Sequence, residues 1–291
     1  MAEGSGLTRW IRTHPIAALL AWFFPVGWAI VLIPMAVLPA VPLEALLIAA
    51  TLLGLLLPTV VITWLIDGRA GVVALRGRIF QWRASLGWYA LALLAVPLTA
   101  VALASIVYGP PRLTPAEWLS AIVYGLIVQS AIGFVTINLW EETAWMGFVQ
   151  VRFQARHGIW LAVVLTAGLF MLQHVPLFVD SGPMIFVIAP AFFILAIPFR
   201  ALLAWIYNRT GSLFLVGLLH AVSDGTGSGG FDKGFLPRLF DSGDVSLLAN
   251  VATALVGVVV IVALRGRLGG QTRSAPRVDL TLAPVAVDPI G

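Results

Sequence analysis

Five ionisable side chains interrupt stretches of sequence that are otherwise apolar. Glu141 and Glu142 follow the uncharged run 118–140, and His174 lies within the uncharged run 157–179. His220 and Asp224 are spaced i, i+4 at the end of a third run, and this spacing places both side chains on one face of a helix. Because an ionisable group among apolar residues is costly to bury, these five residues are candidates for a shared polar site.

The residue types fit the hydrolysis of an amide bond. A carboxylate beside an imidazole can take a proton from water, and a second imidazole can donate a hydrogen bond to the oxyanion that forms on a carbonyl. Glu141, His174 and His220 also match a catalytic zinc ligand set with one open position. The zinc-protease motif HExxH does not occur in the chain. The residues alone leave a metal-free site and a zinc site both open.

Composition indicates a membrane protein. Of 291 residues, 60% are hydrophobic and 10% charged, and the mean hydropathy is +1.00, which argues against both a water-soluble fold and disorder. The absence of cysteine excludes disulfide scaffolds and thiolate chemistry. The net charge is +4, but the arginines are scattered between apolar runs, so a nucleic-acid partner is not predicted.

The spacing of charged residues predicts an all-α polytopic membrane protein with about eight transmembrane helices. Seven uncharged stretches are long enough to span a bilayer, and the eighth, 210–223, either extends through Arg209 or lies inside the bundle. The stretches are 13–43, 45–66, 84–111, 118–140, 157–179, 181–199, 210–223 and 245–264.

The basic residues predict an N-in, C-in orientation. With eight crossings, 14 of the 17 basic residues are cytoplasmic, Arg200 and Arg209 among them, and only Arg112, Lys233 and Arg238 lie outside. We expect a transmembrane domain over 1–267 with a catalytic core at about 118–226, followed by a disordered cytoplasmic tail over 268–291. The composition favours a cell-membrane location, most readily a bacterial inner membrane.

Three motifs in order resemble those of a known family. They are Glu141-Glu142, Phe170 with His174, and His220 with Asp224, and the similarity covers about residues 118–226. The chain resembles the CPBP intramembrane proteases, which comprise the CAAX prenyl endopeptidase and bacteriocin-processing or Abi-type proteins. The resemblance implies that Glu141 with His174 activates water, while His220 with Asp224 stabilises the oxyanion. Both metalloprotease and metal-free glutamate mechanisms are held for this family, and we expect the metal-free one.

Two features of the sequence do not fit the family pattern directly: one residue of the first motif, and the membrane depth of two of the site residues. Met146 stands where the family motif has an arginine, which removes an i, i+4 ion pair with Glu142 and predicts a different role or protonation for that carboxyl. If the spans are straight, Glu141 and His174 also differ in membrane depth by on the order of 10 Å. Tilt, kinks or a water-filled cavity must then bring them together.

The expected partners are the lipid bilayer and a peptide or protein substrate, membrane-associated or prenylated. The alternative is a non-catalytic family member that acts as a membrane scaffold or a bacteriocin-immunity-type protein, and Met146 favours it. A proton-coupled transporter is a third class that uses buried Glu and His, but no repeat-related pair of broken spans supports it.

Overall fold

The computed structural model describes residues 6–38, 40–227, 232–242 and 245–269, and within these ranges all regular secondary structure is helical. The predicted tail over 268–291 lies, from residue 270 onward, outside the described residues.

The first half of the chain forms four helices and begins a long helical run. The four are α1 (Gly6–Thr13), α2 (Pro15–Val37), α3 (Leu43–Ile79) and α4 (Leu86–Tyr108), and the backbone of α3 leaves the helical conformation at Gly68, with φ 62°. The run Pro115–Thr210 contains two glycines with positive φ, Gly158 at 77° and Gly182 at 55°, where the backbone leaves the helical conformation. These breaks divide the run into α5 (115–157), α6 (159–174, followed by 3₁₀ turns over Val175–Met184) and α7 (Ile185–Thr210).

Three helices complete the described chain. They are α8 (Leu213–Thr226), the short α9 (Phe235–Leu239) and α10 (Val245–Ala263). Gly211, with φ 68°, separates α7 from α8, so α8 does not extend through Arg209. Eleven of the 14 residues of α8 are buried, which confirms that this short helix lies inside the bundle.

The helices support the predicted number of crossings. Five helical runs are long and apolar enough to cross a membrane, and the breaks at Gly158 and Gly182 divide the 96-residue run Pro115–Thr210 into three helices. Together with α8, the described part of the chain has eight helices at the positions of the eight predicted crossings. The protein is therefore an all-α polytopic membrane protein, as the sequence predicts.

Contacts sort the helix ends into two groups. Segments predicted to be cytoplasmic meet at one end, here called the basic end, through Arg12 with Leu65, Asp67 with Arg152, Arg78 with Tyr207, and Asn208 with Leu268. At the other end, the ring of Tyr108 lies 6.3 Å from that of Phe240, and Leu113 packs against the cluster that contains Phe235. This grouping agrees with the predicted alternation of the helices, while the side that faces the cytoplasm stays a prediction.

One arginine does not lie where the charge pattern placed it. Arg200 was predicted at the cytoplasmic ends, but its side chain is fully buried in the bundle. It lies ten residues before the end of α7 at Thr210, which corresponds to about 15 Å along the helix. The cytoplasmic assignment of Arg200 is therefore wrong, and the residue needs a partner inside the protein.

Helix α5 carries an unusual amount of π-helical backbone. Its π-helical stretches are Ala121–Val128, Phe134–Asn138 and Trp145–Gln150, and Glu141 and Glu142 lie in the α-helical turns Leu139–Ala144 between the last two. The prediction that 118–151 is one largely continuous helix is confirmed. Wider turns of this kind are rare and often occur at functional sites.

Helix α8 approaches α5 closely because one of its faces carries only small residues. Gly217, Ala221 and Gly225 are spaced four apart on this face. A Cβ at Gly217 would lie 2.9 Å from Leu139 Cα, and a Cβ at Gly225 would lie 2.3 Å from Ser130 Oγ. This contact brings α8 against α5, with Gly217 next to the turns Leu139–Ala144 that carry the two glutamates.

Candidate active site

The five predicted residues come together where α5, α6 and α8 meet. Glu141, His174, His220 and Asp224 line one cavity of about 320 Å³. Glu142 lies behind this surface and is completely buried. A ligand in the cavity can therefore contact the other four residues, whereas Glu142 can act on a ligand only through its neighbours.

Glu142 is held by two side chains from other helices. Arg200 Nη1 donates to both carboxylate oxygens, at 2.7 Å to Oε1 and 2.9 Å to Oε2. His220 Nδ1 lies 2.9 Å from the same Oε1. Because both donors reach one oxygen, the carboxylate is fixed in position and rotation by groups on α7 and α8.

Glu142 has a guanidinium partner although α5 does not supply one. Met146 does replace the arginine of the family motif, and it is buried without charge. The guanidinium comes instead from Arg200, 58 residues further along the chain. The absence of an i, i+4 partner on α5 therefore does not leave Glu142 unpaired.

His220 lies between two carboxylates. Its Nδ1 faces Glu142, and its Nε2 is 3.7 Å from Asp224 Oδ2. Asn138 Nδ2 donates to the same oxygen of Asp224 at 2.7 Å. The edges and faces of Phe170 and Phe199 enclose the imidazole, with ring centroids 5.6 Å and 5.1 Å away. These contacts leave Nε2 as the nitrogen of His220 that is directed at Asp224 and the cavity.

Glu141 is oriented by a relay of two donors. Gln173 Nε2 donates to Glu141 Oε1, and Trp145 Nε1 donates to Gln173 Oε1. Since an indole nitrogen only donates, the amide oxygen of Gln173 must face Trp145 and its nitrogen must face the carboxylate. Glu141 Oε1 is thereby engaged, and Oε2 is the oxygen left for water or substrate.

His174 has a defined tautomer. Its Nδ1 is 2.7 Å from the carbonyl oxygen of Phe170, and since a carbonyl only accepts, Nδ1 must carry the proton. The Nε2 lone pair is then available to a ligand. Phe170 and Phe192 pack against the ring at centroid distances of 4.5 Å and 4.9 Å, which fixes its orientation.

The anticipated difference in depth between Glu141 and His174 does not separate them. Gln173, the neighbour of His174, bonds directly to Glu141, and both site residues line the same cavity. Helix α5 spans residues 115–157, about 60 Å at 1.5 Å per residue, which is twice the hydrocarbon thickness. Such a helix must tilt or project from the bilayer, so residue count along it is a poor measure of depth.

The side chains do not form a metal-ligand cluster. Over residues 6–38, 40–227, 232–242 and 245–269, no group of three or more His, Cys, Asp or Glu could hold a metal ion. The expectation of a metal-free site stays a prediction.

Four residues of this site are absent from the sequence-based prediction. They are Asn138, Trp145, Gln173 and Arg200. Trp145 lies one turn after Glu141 and Gln173 adjoins His174, so position along the helix could have indicated both. Arg200 carried the opposite signal, because an arginine near the end of an apolar run is normally a flanking residue.

The site lies within a segment that matches a known family. Residues 124–226 match the model of the Rce1-like family, described as Type II CAAX prenyl endopeptidase. No curated protein matches the chain. The matched segment contains Glu141, Glu142, His174, His220 and Asp224 as well as Arg200, while α2, α3 and α10 lie outside it.

Proposed function

We propose that this chain is an intramembrane endopeptidase that hydrolyses a peptide bond without a covalent intermediate, because residues 124–226 match the family model described as Type II CAAX prenyl endopeptidase. One observation carries the proposal: Glu141, His174 and His220 line a single cavity, and the carboxylate and the first imidazole each have an atom left for water.

In the proposed first step, a water molecule lies between Glu141 and His174. Glu141 Oε2 takes a proton from this water, and His174 Nε2 accepts its second hydrogen bond and orients it. The water oxygen attacks the carbonyl carbon of the scissile bond, and the electron pair of the C=O bond moves to the carbonyl oxygen. The buried position of Glu141, with 6% of its surface exposed, keeps bulk water from competing for the carboxylate.

In the proposed second step, His220 stabilises the oxyanion. Because Nδ1 donates to Glu142, His220 acts here as the imidazolium, which carries a proton on both ring nitrogens. Its Nε2 N–H, 3.7 Å from Asp224 Oδ2, donates to the negatively charged oxygen. Collapse of the intermediate breaks the C–N bond. Glu141 then returns its proton to the leaving amine, so the carboxylate is regenerated.

We propose a peptide or membrane-associated protein as substrate, with a prenylated CAAX peptide as the first probe. The cavity extends between Phe23 and Trp28 of α2 and Leu55 of α3, which gives the polar residues an apolar wall suited to a lipid-modified or membrane-embedded chain. The proposed location is the inner membrane of a bacterium. The non-catalytic alternative rested on Met146, and the pairing of Glu142 with Arg200 removes that support.

Cleavage is tested with the purified protein in proteoliposomes. The probes are a quenched-fluorescent peptide ending in a CAAX sequence, farnesylated and unmodified, and the membrane proteome of producing cells, in which new peptide termini are identified by mass spectrometry. Glu141→Gln removes the base with little change of shape, and we expect a loss of at least about 100-fold. The matched control is Glu117→Gln, since Glu117 is an exposed residue of the same helix whose capping role a glutamine preserves.

His174→Ala provides a second variant with the same expected loss. If Glu141→Gln and His174→Ala both cleave at the wild-type rate, the assigned mechanism is wrong. If the wild type generates no Glu141-dependent termini in either assay, the endopeptidase proposal fails and a binding role takes its place.

A further inference from the structure

The centre of the bundle contains an ion pair that stability does not explain. Glu142 and Arg200 have no exposed side-chain surface and are 2.7 Å apart. Removing two charges from water is expensive, and buried ion pairs can often be replaced by apolar residues at no cost in stability. A helix that carries arginine at membrane depth is also costly to insert. The presence of such a pair therefore calls for a role beyond holding the helices together.

The contacts of Glu142 point to that role. This carboxylate does not line the cavity and so has no direct contact with a ligand. Its Oε1 receives both Arg200 Nη1 and His220 Nδ1. Since the imidazole is a rigid ring, the direction of the Nδ1 bond to Glu142 determines where Nε2 points.

We infer that Arg200 is a positioning residue that fixes the Glu142 carboxylate and, through it, the imidazole of His220 with Nε2 directed at the cavity. The guanidinium reaches across from α7 and holds the carboxylate that Met146 cannot hold from α5. The catalytic consequence rests on the proposed function, but the positioning itself has a spectroscopic readout that does not require cleavage.

Arg200 acts through one nitrogen. Among the described residues, its Nη1 makes both bonds to Glu142, whereas Nε and Nη2 are buried and have no hydrogen-bond partner. Phe170 lies under the guanidinium, with 5.5 Å between Cζ and the ring centroid. A single cationic donor therefore suffices for the contact, and Arg200→Lys keeps the positioning that Arg200→Met removes.

The test is nuclear magnetic resonance of the full chain labelled with ¹⁵N-histidine. The chain has only four histidines, so the Nδ1 proton of His220 can be assigned by single substitutions. We expect this downfield proton in the wild type and in Arg200→Lys, and its loss in Arg200→Met. Arg152→Met is the matched control, because Arg152 is a partly buried arginine at the basic end, 3.9 Å from Asp67, and we expect it to leave the signal unchanged.

The inference is overturned if the His220 proton is unchanged in Arg200→Met, or if it is lost equally in the Arg152→Met control. Should Arg200→Met fail to fold, the exchange Arg200→Met with Met146→Arg returns a guanidinium to α5 one turn from Glu142. Recovery of the proton in this exchange supports the inference, and its absence from the folded exchange variant overturns it.

Cleavage adds a kinetic readout. If Arg200 positions His220 for the oxyanion, Arg200→Met lowers kcat by at least about tenfold while KM changes by less than about threefold, and Arg200→Lys recovers most of the rate. An inactive wild type whose His220 proton still depends on Arg200 would contradict the proposed function and leave the positioning inference standing.

Discussion

Gln173 decides which oxygen of Glu141 is available. Its amide nitrogen donates to Glu141 Oε1, and its orientation is dictated by the indole of Trp145, which can only donate. The ring of Trp145 is itself packed edge-on against Phe23, 5.8 Å between centroids. Three side chains from three helices therefore cooperate to present Oε2 alone, and a change in Trp145 or Phe23 would alter the carboxylate indirectly, through Gln173.

We expect Gln173→Leu to lower cleavage by about tenfold, because Glu141 loses its orienting donor. The same change leaves the Trp145 N–H without an acceptor, which destabilises the fold by about 1–3 kcal/mol. Peptide cleavage and the thermal unfolding midpoint are measured on the same preparation. Gln154→Leu is the control, since Gln154 pairs with Asn208 outside the cavity, and wild-type cleavage by Gln173→Leu would contradict the assigned orientation.

At the residue scale, the sequence indicates the candidate catalytic side chains better than it indicates the side chains that orient them. The rarity of ionisable side chains in apolar runs was enough to select Glu141, His174 and His220. Gln173 contacts Glu141 across 32 residues, and Arg200 contacts Glu142 across 58. Both were missed because a contact between distant residues leaves no local pattern in the sequence. A hydrogen bond between distant segments depends on helix rotation, which hydropathy does not encode.

At the scale of elements, close packing of α8 on α5 decides whether the two halves of the site meet. The small face formed by Gly217, Ala221 and Gly225 lets the helix backbones approach, and His220 and Asp224 lie on the adjoining positions. In a bilayer, where apolar surface alone does not drive helices together, such small faces supply the contact area. The spacing of the small residues is visible in the sequence, but only the structure shows that α5 is the helix packed against them.

We expect Gly217→Ala to destabilise the protein by about 1–3 kcal/mol, because the new methyl group would lie 2.9 Å from the backbone of Leu139. The displaced α8 would also carry His220 away from Glu142, so cleavage falls together with the unfolding midpoint. Gly168→Ala is the control in α6, where the nearest atom is the Phe193 ring at 3.6 Å, an ordinary contact. A Gly217→Ala midpoint no lower than that of Gly168→Ala would contradict the close packing.

The number and order of the crossing helices were predictable because they depend on local chemistry. The charge-free stretches correspond one to one with the eight crossing helices, and the division of the run Pro115–Thr210 occurs at glycines that adopt positive φ. The π-helical turns of α5 were not predictable, because they depend on how the helix is packed rather than on composition.

At the scale of the whole molecule, the orientation in the membrane can be tested by labelling positions near the two ends of one helix. The chain has no cysteine, so a single introduced thiol is the only one present. Ala116 and Ala155 are exposed residues near opposite ends of α5. We expect a membrane-impermeant maleimide to label Ala116→Cys in intact spheroplasts and Ala155→Cys only after permeabilisation. The reverse pattern would contradict the N-in orientation, and labelling of both in intact spheroplasts would contradict the crossing by α5.

The cavity is built by two separate parts of the chain. The residues assigned to the chemistry lie within 124–226. The rest of the cavity wall includes residues of α2, α3 and α10, which lie outside that segment: Phe23, Trp28, Leu55, Asn250 and Thr253. Substitutions in these outer helices can reshape what the cavity admits without altering the groups that react. Proteins that share the reactive segment are thus free to diverge in selectivity through helices that need not resemble one another.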